Sequence, residues 1–378
     1  MKKHIVVFTL AYFPLVGGAE IALREVAKRL KKDYRFTIIT ARMSKKVQKR
    51  DTIDGIPIIR VGLGSKKADK LMYPILAVRE AAKHKPDMIF ALLENQAALA
   101  GQLYAQLFGT PLVINLQSGD SEPYIYKKLG PFSFLYNRVY NKKHHYAVLS
   151  RYLRQRALNH QIPAQHITII PNGVDLELFN PARYNPEELS TLRKKLDLNG
   201  TVLITASRLT YKNAVDDIIS ALPLLLKKTS ITLIICGVGE DRDKLKTLAK
   251  QLGVDRHIRW VGLIPYPELP KYLLVSDIFI RPSISEGFGN SFIEALACGK
   301  PIIGTHVGGI PDFLTHEKTG LICKVRSPPD LALQALRLIQ NKQLAQATSR
   351  AGQLMVREKY SWDHIALQFD SLFKKVAP

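Results

Sequence analysis

The sequence predicts an α/β fold built from two doubly wound domains. Three observations carry that expectation. Short, β-branched apolar runs alternate with helix-spaced amphipathic stretches along nearly the whole chain, the pattern of parallel sheets covered on both faces. The alternation breaks once, at Pro171-Asn172-Gly173 and the polar stretch 180–190 with Pro181 and Pro186, and then restarts. The chain has 378 residues, beyond the roughly 250–300 at which a single core stops growing.

Each element follows in order. Residues 5–10 read as a first strand, and 19–30 as a helix whose apolar positions are Ile21, Ala22, Val26, Ala27 and Leu30. Further strands are expected at 36–40, 57–61, 88–92, 112–116, 147–150 and 167–170. Helices are expected near 71–84, 96–108, 133–145 and 152–160. The stretch 180–190 is the expected linker, so the domains divide into 1–180 and 181–360. In the second, strands are expected at 202–206, 231–236, 257–261, 278–281, 301–304 and 320–323. Helices are expected at 213–226, 241–252, 268–274 and 290–297, then over 330–358 with an interruption near Asn341. A capped amphipathic helix at 361–375 ends the chain. Ligands of such sheets lie at the carboxyl ends of the strands, here in a central cleft between the domains.

Composition narrows the classes. A hydrophobic fraction of 46% can build a core, which excludes wholesale disorder. Cys236, Cys298 and Cys323 form no CxxC pair, which argues against a disulfide framework and a clustered-cysteine zinc site. No apolar run approaches the length of a membrane span. The first residues read as a buried strand and a loop rather than a signal peptide.

Charge is the other strong signal. The net charge is +23, and it is uneven: residues 1–170 hold 28 Lys/Arg against 11 Asp/Glu, and the remainder 27 against 21. Such a field attracts an anionic partner or surface. The densest stretch is 127–156, with Lys127, Lys128, Arg138, Lys142, Lys143, Arg151, Arg154 and Arg156, no acid, and interleaved aromatics. A helix there with a basic face and an aromatic edge would make peripheral contact with an anionic membrane. The alternative is a solvated face whose aromatics enter the core. No zinc finger, RNP-type run or KH loop supports a nucleic-acid partner. Lys45, Lys46, Lys49 and Arg50 sit in an expected loop and add to the same field.

Several strand-end loops could carry chemistry. Pro14-Leu15-Val16-Gly17-Gly18-Ala19-Glu20 joins the first strand to the first helix. Its two glycines leave amides at a helix N-terminus, suited to a phosphate or sugar oxygen, or simply to a packing turn. It is not a dinucleotide fingerprint; Gly237-Val238-Gly239 also fails that pattern, and no Walker A sequence exists. Arg208 and Lys212 follow the first strand of the second domain, where a guanidinium fork and an ammonium suit a departing diphosphate. The sharpest segment is Glu286-Gly287-Phe288-Gly289-Asn290-Ser291-Phe292-Ile293-Glu294. Two acids flank a glycine turn that opens a helix, so amides of Phe288 through Ser291 can meet an anion while the carboxylates accept hydroxyls of a vicinal diol. Gly308-Gly309 marks one more strand end.

These residues resemble a retaining glycosyltransferase of the GT-B type, family 4. The E-x7-E pattern of that family stands here as Glu286 and Glu294 with Phe288-Gly289 between them. Gly17-Gly18, Arg208, Lys212, Asn172-Gly173-Val174-Asp175 and Trp362 extend the resemblance over nearly the whole chain. It implies two Rossmann-like domains facing a central cleft, with a C-terminal helix, 361–378, crossing back to the first. It implies that Glu294 holds the nucleotide ribose, Glu286 the hydroxyls of the donor sugar, and Arg208 and Lys212 the diphosphate. Gly17 and Gly18 would approach the diphosphate, and Gly287, Phe288, Gly289, Asn290 and Ser291 would supply the amide cradle. The base would lie near 259–264, against Val261 and Leu263. No metal and no cofactor is implied; the co-substrate is a UDP- or GDP-linked sugar. The acceptor would be a glycan, a membrane lipid or a lipid-linked glycan, met by a cytoplasmic protein peripheral to the inner face of the cell membrane. One position departs from the family: a His usual after the strand 112–116 is replaced by Gln117, which donates an N–H to a sugar hydroxyl but cannot ionise. Gln117 is therefore counted with Arg208, Lys212 and Glu286 among the catalytic candidates. A sugar-nucleotide epimerase of the same fold, and a non-catalytic nucleotide-sugar or anionic-surface binding protein, remain the alternatives.

Overall fold

The computed structural model describes residues 2–15 and 17–378. Met1 and Val16, the latter part of the first glycine loop, lie outside the described residues. The chain divides into two compact units, residues 2–172 with 362–378, and residues 173–361.

The first unit is built on eight strands: β1 (Lys3–Thr9), β2 (Tyr34–Ala41), β3 (Arg50–Ile53), β4 (Ile56–Val61), β5 (Met88–Leu92), β6 (Leu112–Leu116), β7 (His145–Val148) and β8 (Ile167–Ile169). Their order is β3-β4-β2-β1-β5-β6-β7-β8. All neighbours are parallel except β3, which pairs antiparallel with β4. β5 and β6 are buried at every residue, as strands covered on both faces must be.

The second unit has six parallel strands: β9 (Thr201–Ala206), β10 (Ile231–Cys236), β11 (Ile258–Gly262), β12 (Ile278–Arg281), β13 (Ile302–Thr305) and β14 (Leu321–Cys323). They run β11-β10-β9-β12-β13-β14, the order of a doubly wound sheet. The order reverses direction between β9 and β12, and in the first unit between β1 and β5. Ligands of such sheets bind at these switch points, beyond the carboxyl ends of the strands.

The final helix, Trp362–Val376, belongs to the core of the first unit. Trp362, Ile365, Ala366, Phe369, Leu372, Phe373 and Val376 pack with Ile5, Val7, Leu23, Val26, Phe36 and Phe90. The chain crosses between units at Asn172–Gly173 and again at Ser361–Trp362. On the second unit's side the crossings run together, because the Val174 N–H donates to the Tyr360 carbonyl at 2.8 Å.

Four expectations change. The loop expected around Arg50 gives way to the edge strand β3; Arg50, Asp51 and Thr52 are exposed, so no apolar alternation announces it. The helix expected over 133–145 extends only over Ser133–Asn137, and it is preceded by an unexpected helix Glu122–Leu129 and a 3-10 turn Gly130–Phe132. Pro131 removes a backbone donor and ends the first helix. The basic stretch 127–156 is therefore several elements, and it includes the buried strand β7. The stretch 180–190, expected as a linker, contains the first half of a helix, Pro186–Lys195, with Pro186 at its first position and the Asn185 side chain accepting from the Glu187 N–H at 2.9 Å. Proline and Asn are favoured at these positions, so the residues that suggested a linker instead start a helix. Finally, the chain leaves the first unit at Asn172, ahead of that stretch.

The aromatic cluster beneath the last helix gives a test. Phe369 is buried, with ring centroids 5.7 Å from Phe90 and 5.8 Å from Phe373. Phe369→Ala is expected to destabilise the first unit by about 3–5 kcal/mol, read as a lowered denaturation midpoint. A shift below about 1 kcal/mol would mean the helix is a passive tail.

Candidate functional site

In the second unit the candidate residues converge at the β9/β12 switch point. Arg208 and Lys212 follow β9; Arg208 is exposed and Lys212 half-buried. Glu286 follows β12, and the helix Asn290–Ala297 carries Glu294 one face below the turn. The Lys212 carbonyl accepts from the Ile284 N–H at 2.7 Å, which joins the two loops directly.

Arg281, the last residue of β12, joins them again. Its guanidinium donates through Nη1 to the Ser291 Oγ at 3.0 Å and through Nη2 to the Asn213 Oδ1 at 2.9 Å. The same Nη2 pairs with the Glu286 carboxylate. Asn213 in turn donates through Nδ2 to the Arg208 carbonyl at 2.6 Å. One buried cation thus connects the basic loop, the first acid and the start of the helix. Glu286 also accepts from the Gly287 N–H at 3.1 Å through Oε1, so its plane is fixed from two sides.

Glycines let neighbouring backbones close on this centre. Gly308 has φ +55, and a Cβ there would lie 1.9 Å from the Glu286 carbonyl oxygen; the Gly309 N–H donates to that oxygen at 3.0 Å. Gly237, at φ +133, would put a Cβ 1.9 Å from the Ser207 carbonyl oxygen. The Gly237–Gly239 turn therefore serves close packing against the Arg208 loop. Gly287, Phe288, Gly289 and Ser291 are buried, and Asn290 is half-buried. The Phe288 ring packs on Phe313 and Tyr360, each centroid 5.5 Å away, leaving only its backbone for a ligand.

Glu294 is nearly inaccessible. Burial raises its carboxyl to about 7, against the lowering pull of a hydrogen bond from Tyr266 and of the Arg281 cation. Tyr266 lies in the segment after β11, near the residues expected to meet a base. There Val261 is half-buried and Leu263 is 77% exposed. Arg259 is turned away: its guanidinium bonds the Leu196, Asp197 and Arg256 carbonyls at 2.6–2.7 Å. Among the described residues no group of three or more His, Cys, Asp or Glu side chains is arranged to hold a metal ion.

The first unit carries its own cluster at the carboxyl edge. Gln117 follows β6; its Nε2 donates to the Asn115 Oδ1 and its Oε1 accepts from the Asn172 Nδ2 at 3.3 Å. Glu94, after β5, accepts from the Gln117 and Ser118 N–H groups at 3.1 and 3.2 Å. Arg156 faces Glu94 at 3.5 Å and donates to the Ser118 and Asp120 carbonyls at 3.2 and 2.6 Å. Arg156 was expected on a basic surface; it is buried instead, bracing the Gln117 loop. Burial pushes the Glu94 carboxyl above its usual range against the opposing pull of Arg156. Gly17 and Gly18 are exposed at the start of the helix Gly18–Leu30. The Gly17 N–H is already engaged by the Glu20 carboxylate at 2.7 Å, so that amide is not open to a phosphate.

Sequence reasoning missed Arg281, Asn213, Tyr266, Glu94 and Arg156. An arginine closing an apolar strand, and Glu94 directly after β5, were visible signals; the Tyr266 contact had none.

This is the architecture of a GT-B protein, two Rossmann-like units with strand-end loops loaded with acids, bases and glycines. Residues 16–178 match the family described as Glycosyltransferase Family 4, and residues 190–355 the family described as Glycosyl transferases group 1. The chain belongs to this family of GT-B glycosyltransferases. It is 31% identical over 227 residues to a GDP-mannose-dependent alpha-(1-6)-phosphatidylinositol monomannoside mannosyltransferase of Mycobacterium tuberculosis. That match covers 58% of each chain, so this chain spans little more than half the length of that curated relative. Two solved structures share the fold across nearly the full length. Anabaena HepE, in complex with UDP and glucose, superposes with a TM-score of 0.81 at 21% identity, over 99% of this chain and 100% of that one. A sucrose-phosphate synthase from Thermosynechococcus elongatus gives 0.84 at 18% identity, over 99% of each.

The Glu294 environment sets a pH dependence. An acid held above its unfolded pKa favours the folded state while protonated. That contribution is complete below about pH 4.5 and is lost as pH rises through about 7. Glu294→Gln removes the loss. Its stability relative to the parent should rise between pH 5 and pH 8, by on the order of 3 kcal/mol, measured by thermal unfolding at both. A gap independent of pH would contradict the buried acid.

Proposed function

We propose that this protein is a retaining glycosyltransferase that moves a hexose from a UDP- or GDP-linked sugar to an acceptor hydroxyl without a divalent metal. The observation that carries the reading is the arrangement at the β9/β12 switch point: Glu286, Glu294, Arg208 and Lys212 on loops joined by one buried network. Glu294 accepts the ribose diol and Glu286 the donor-sugar hydroxyls, the latter by charge-assisted bonds. Charge grows on the diphosphate oxygens as the glycosidic bond breaks, and Arg208, Lys212 and the amides of residues 288–291 stabilise it. The acceptor oxygen attacks the anomeric carbon on the face the diphosphate leaves, and the departing phosphate oxygen takes its proton. Gln117, held by Asn115 and Asn172, keeps a second amide hydrogen for a sugar hydroxyl.

The acceptor belongs to an anionic membrane surface. Tyr124, Phe132 and Phe134 are 51%, 63% and 52% exposed, beside exposed Lys127, Lys128 and Arg138. Aromatic rings at the headgroup level with lysines around them suit peripheral binding. The mannosyltransferase relative, named for a phosphatidylinositol mannoside substrate, supports a lipid acceptor and makes GDP-mannose the first donor to try. Among the described residues no helix is long and apolar enough to cross a membrane.

Calorimetry against UDP- and GDP-sugars, without metal, tests the donor site. One donor should bind tightly, and Glu294→Ala should weaken it about 10- to 100-fold, the loss of a charged hydrogen-bonding partner. Binding without turnover would favour the non-catalytic alternative, and a product of inverted anomeric configuration would overturn retention. For the surface, the chain should float with vesicles containing anionic lipid and not with neutral ones, and Phe132→Ala/Phe134→Ala should lose flotation while keeping donor binding.

A further inference from the structure

The donor-site reading leaves Arg281 without a role, although the fold invests heavily in it. The residue ends a strand whose other members are apolar, and its side chain is only 11% exposed. Burying a guanidinium is costly unless its donors are well placed, and an apolar residue is often tolerated as well or better. Here both terminal nitrogens are committed to Ser291, Asn213 and Glu286. The guanidinium carbon lies 5.9 Å from the Phe292 ring centroid, which limits the side chain from the remaining side.

We propose that Arg281 is a positioning residue for the donor sugar: it sets the plane of the Glu286 carboxylate against the start of the helix Asn290–Ala297. This deepens the donor-site reading and rests on it. The geometry explains why an arginine is used. A planar fork can hold Ser291 through one terminal nitrogen and Asn213 with Glu286 through the other, fixing three segments in one plane. An ammonium at the same place supplies charge but no plane. Glu286 keeps lone pairs on both oxygens beyond those Arg281 and the Gly287 N–H occupy, so the pairing orients the acceptor atoms without consuming them. A carboxylate free to rotate would still be present but would no longer match a pair of hydroxyls, and recognition of this kind requires placement within about half an ångström.

The role belongs to the sugar and not to the nucleotide, which gives a readout that general destabilisation does not move. Two affinities are measured for each variant by calorimetry: the nucleotide sugar bound best by the parent chain, and the corresponding nucleoside diphosphate. Their ratio is the gain due to the sugar. Arg281→Lys is expected to reduce that gain at least tenfold while the diphosphate affinity changes less than threefold. Glu286→Gln is expected to reduce the gain similarly. The double variant should be no worse than either single one, because both remove the same oriented carboxylate. Ser291→Ala, which removes one anchor and leaves the charge pair, should give a smaller loss in the same ratio and guards against misfolding of the lysine variant. An unchanged ratio in Arg281→Lys, or losses that add in the double variant, would overturn the positioning role. If the parent chain binds diphosphate and sugar nucleotide equally, the assignment of Glu286 to the sugar fails, and the proposal with it. If it binds neither, the whole donor-site reading fails.

Discussion

One buried fork ties three segments together at the β9/β12 switch point of the second unit. A site built from strand-end loops depends on the groups that join those loops. Arg281 makes one such join, beside the Ile284 N–H bond to the Lys212 carbonyl. Through Asn213 it reaches the Arg208 carbonyl, through Ser291 the first turn of the helix, and directly the first acid of the pair. The close approaches at Gly237 and Gly308 then bring the neighbouring strand-end loops against the same centre, where a side chain would hold them apart.

The first unit answers the same problem with opposite charge at its centre. Glu94 stands at the switch point and collects the Gln117 and Ser118 N–H groups, while Arg156 collects the Ser118 and Asp120 carbonyls. Neither charge is exposed, so each carries a desolvation cost that only good geometry offsets. The consequence for Gln117 is specific. It is a side chain held at both ends of its amide, by Asn115 and Asn172, and it cannot titrate.

Much of the fold was legible in the residues. The strands 88–92, 112–116, 231–236 and 278–281 and the helix 290–297 were read with their observed bounds, because long apolar runs and a glycine-opened helix are local signals. The break at Asn341 was read correctly for the same reason, its side chain accepting from the Leu344 N–H as a helix cap. What failed had weak or misleading local chemistry. β3 is polar and lies at an edge, Pro186 starts a helix where proline suggested a linker, and the run of basic residues at 127–156 could not reveal that Arg156 turns inward.

The sequence by itself determined the two doubly wound sheets, the family, and the identity of Glu286, Glu294, Arg208 and Lys212 as the residues to examine, because periodicity and short motifs are carried by neighbours along the chain. Only the tertiary structure decided how those residues are held. Arg281 lies 68 positions from Asn213 and Arg156 lies 62 from Glu94. Pairings across such distances are set by strand order and burial, which bring distant strand ends to one edge of a sheet and leave a charge there no partner but the one the fold supplies.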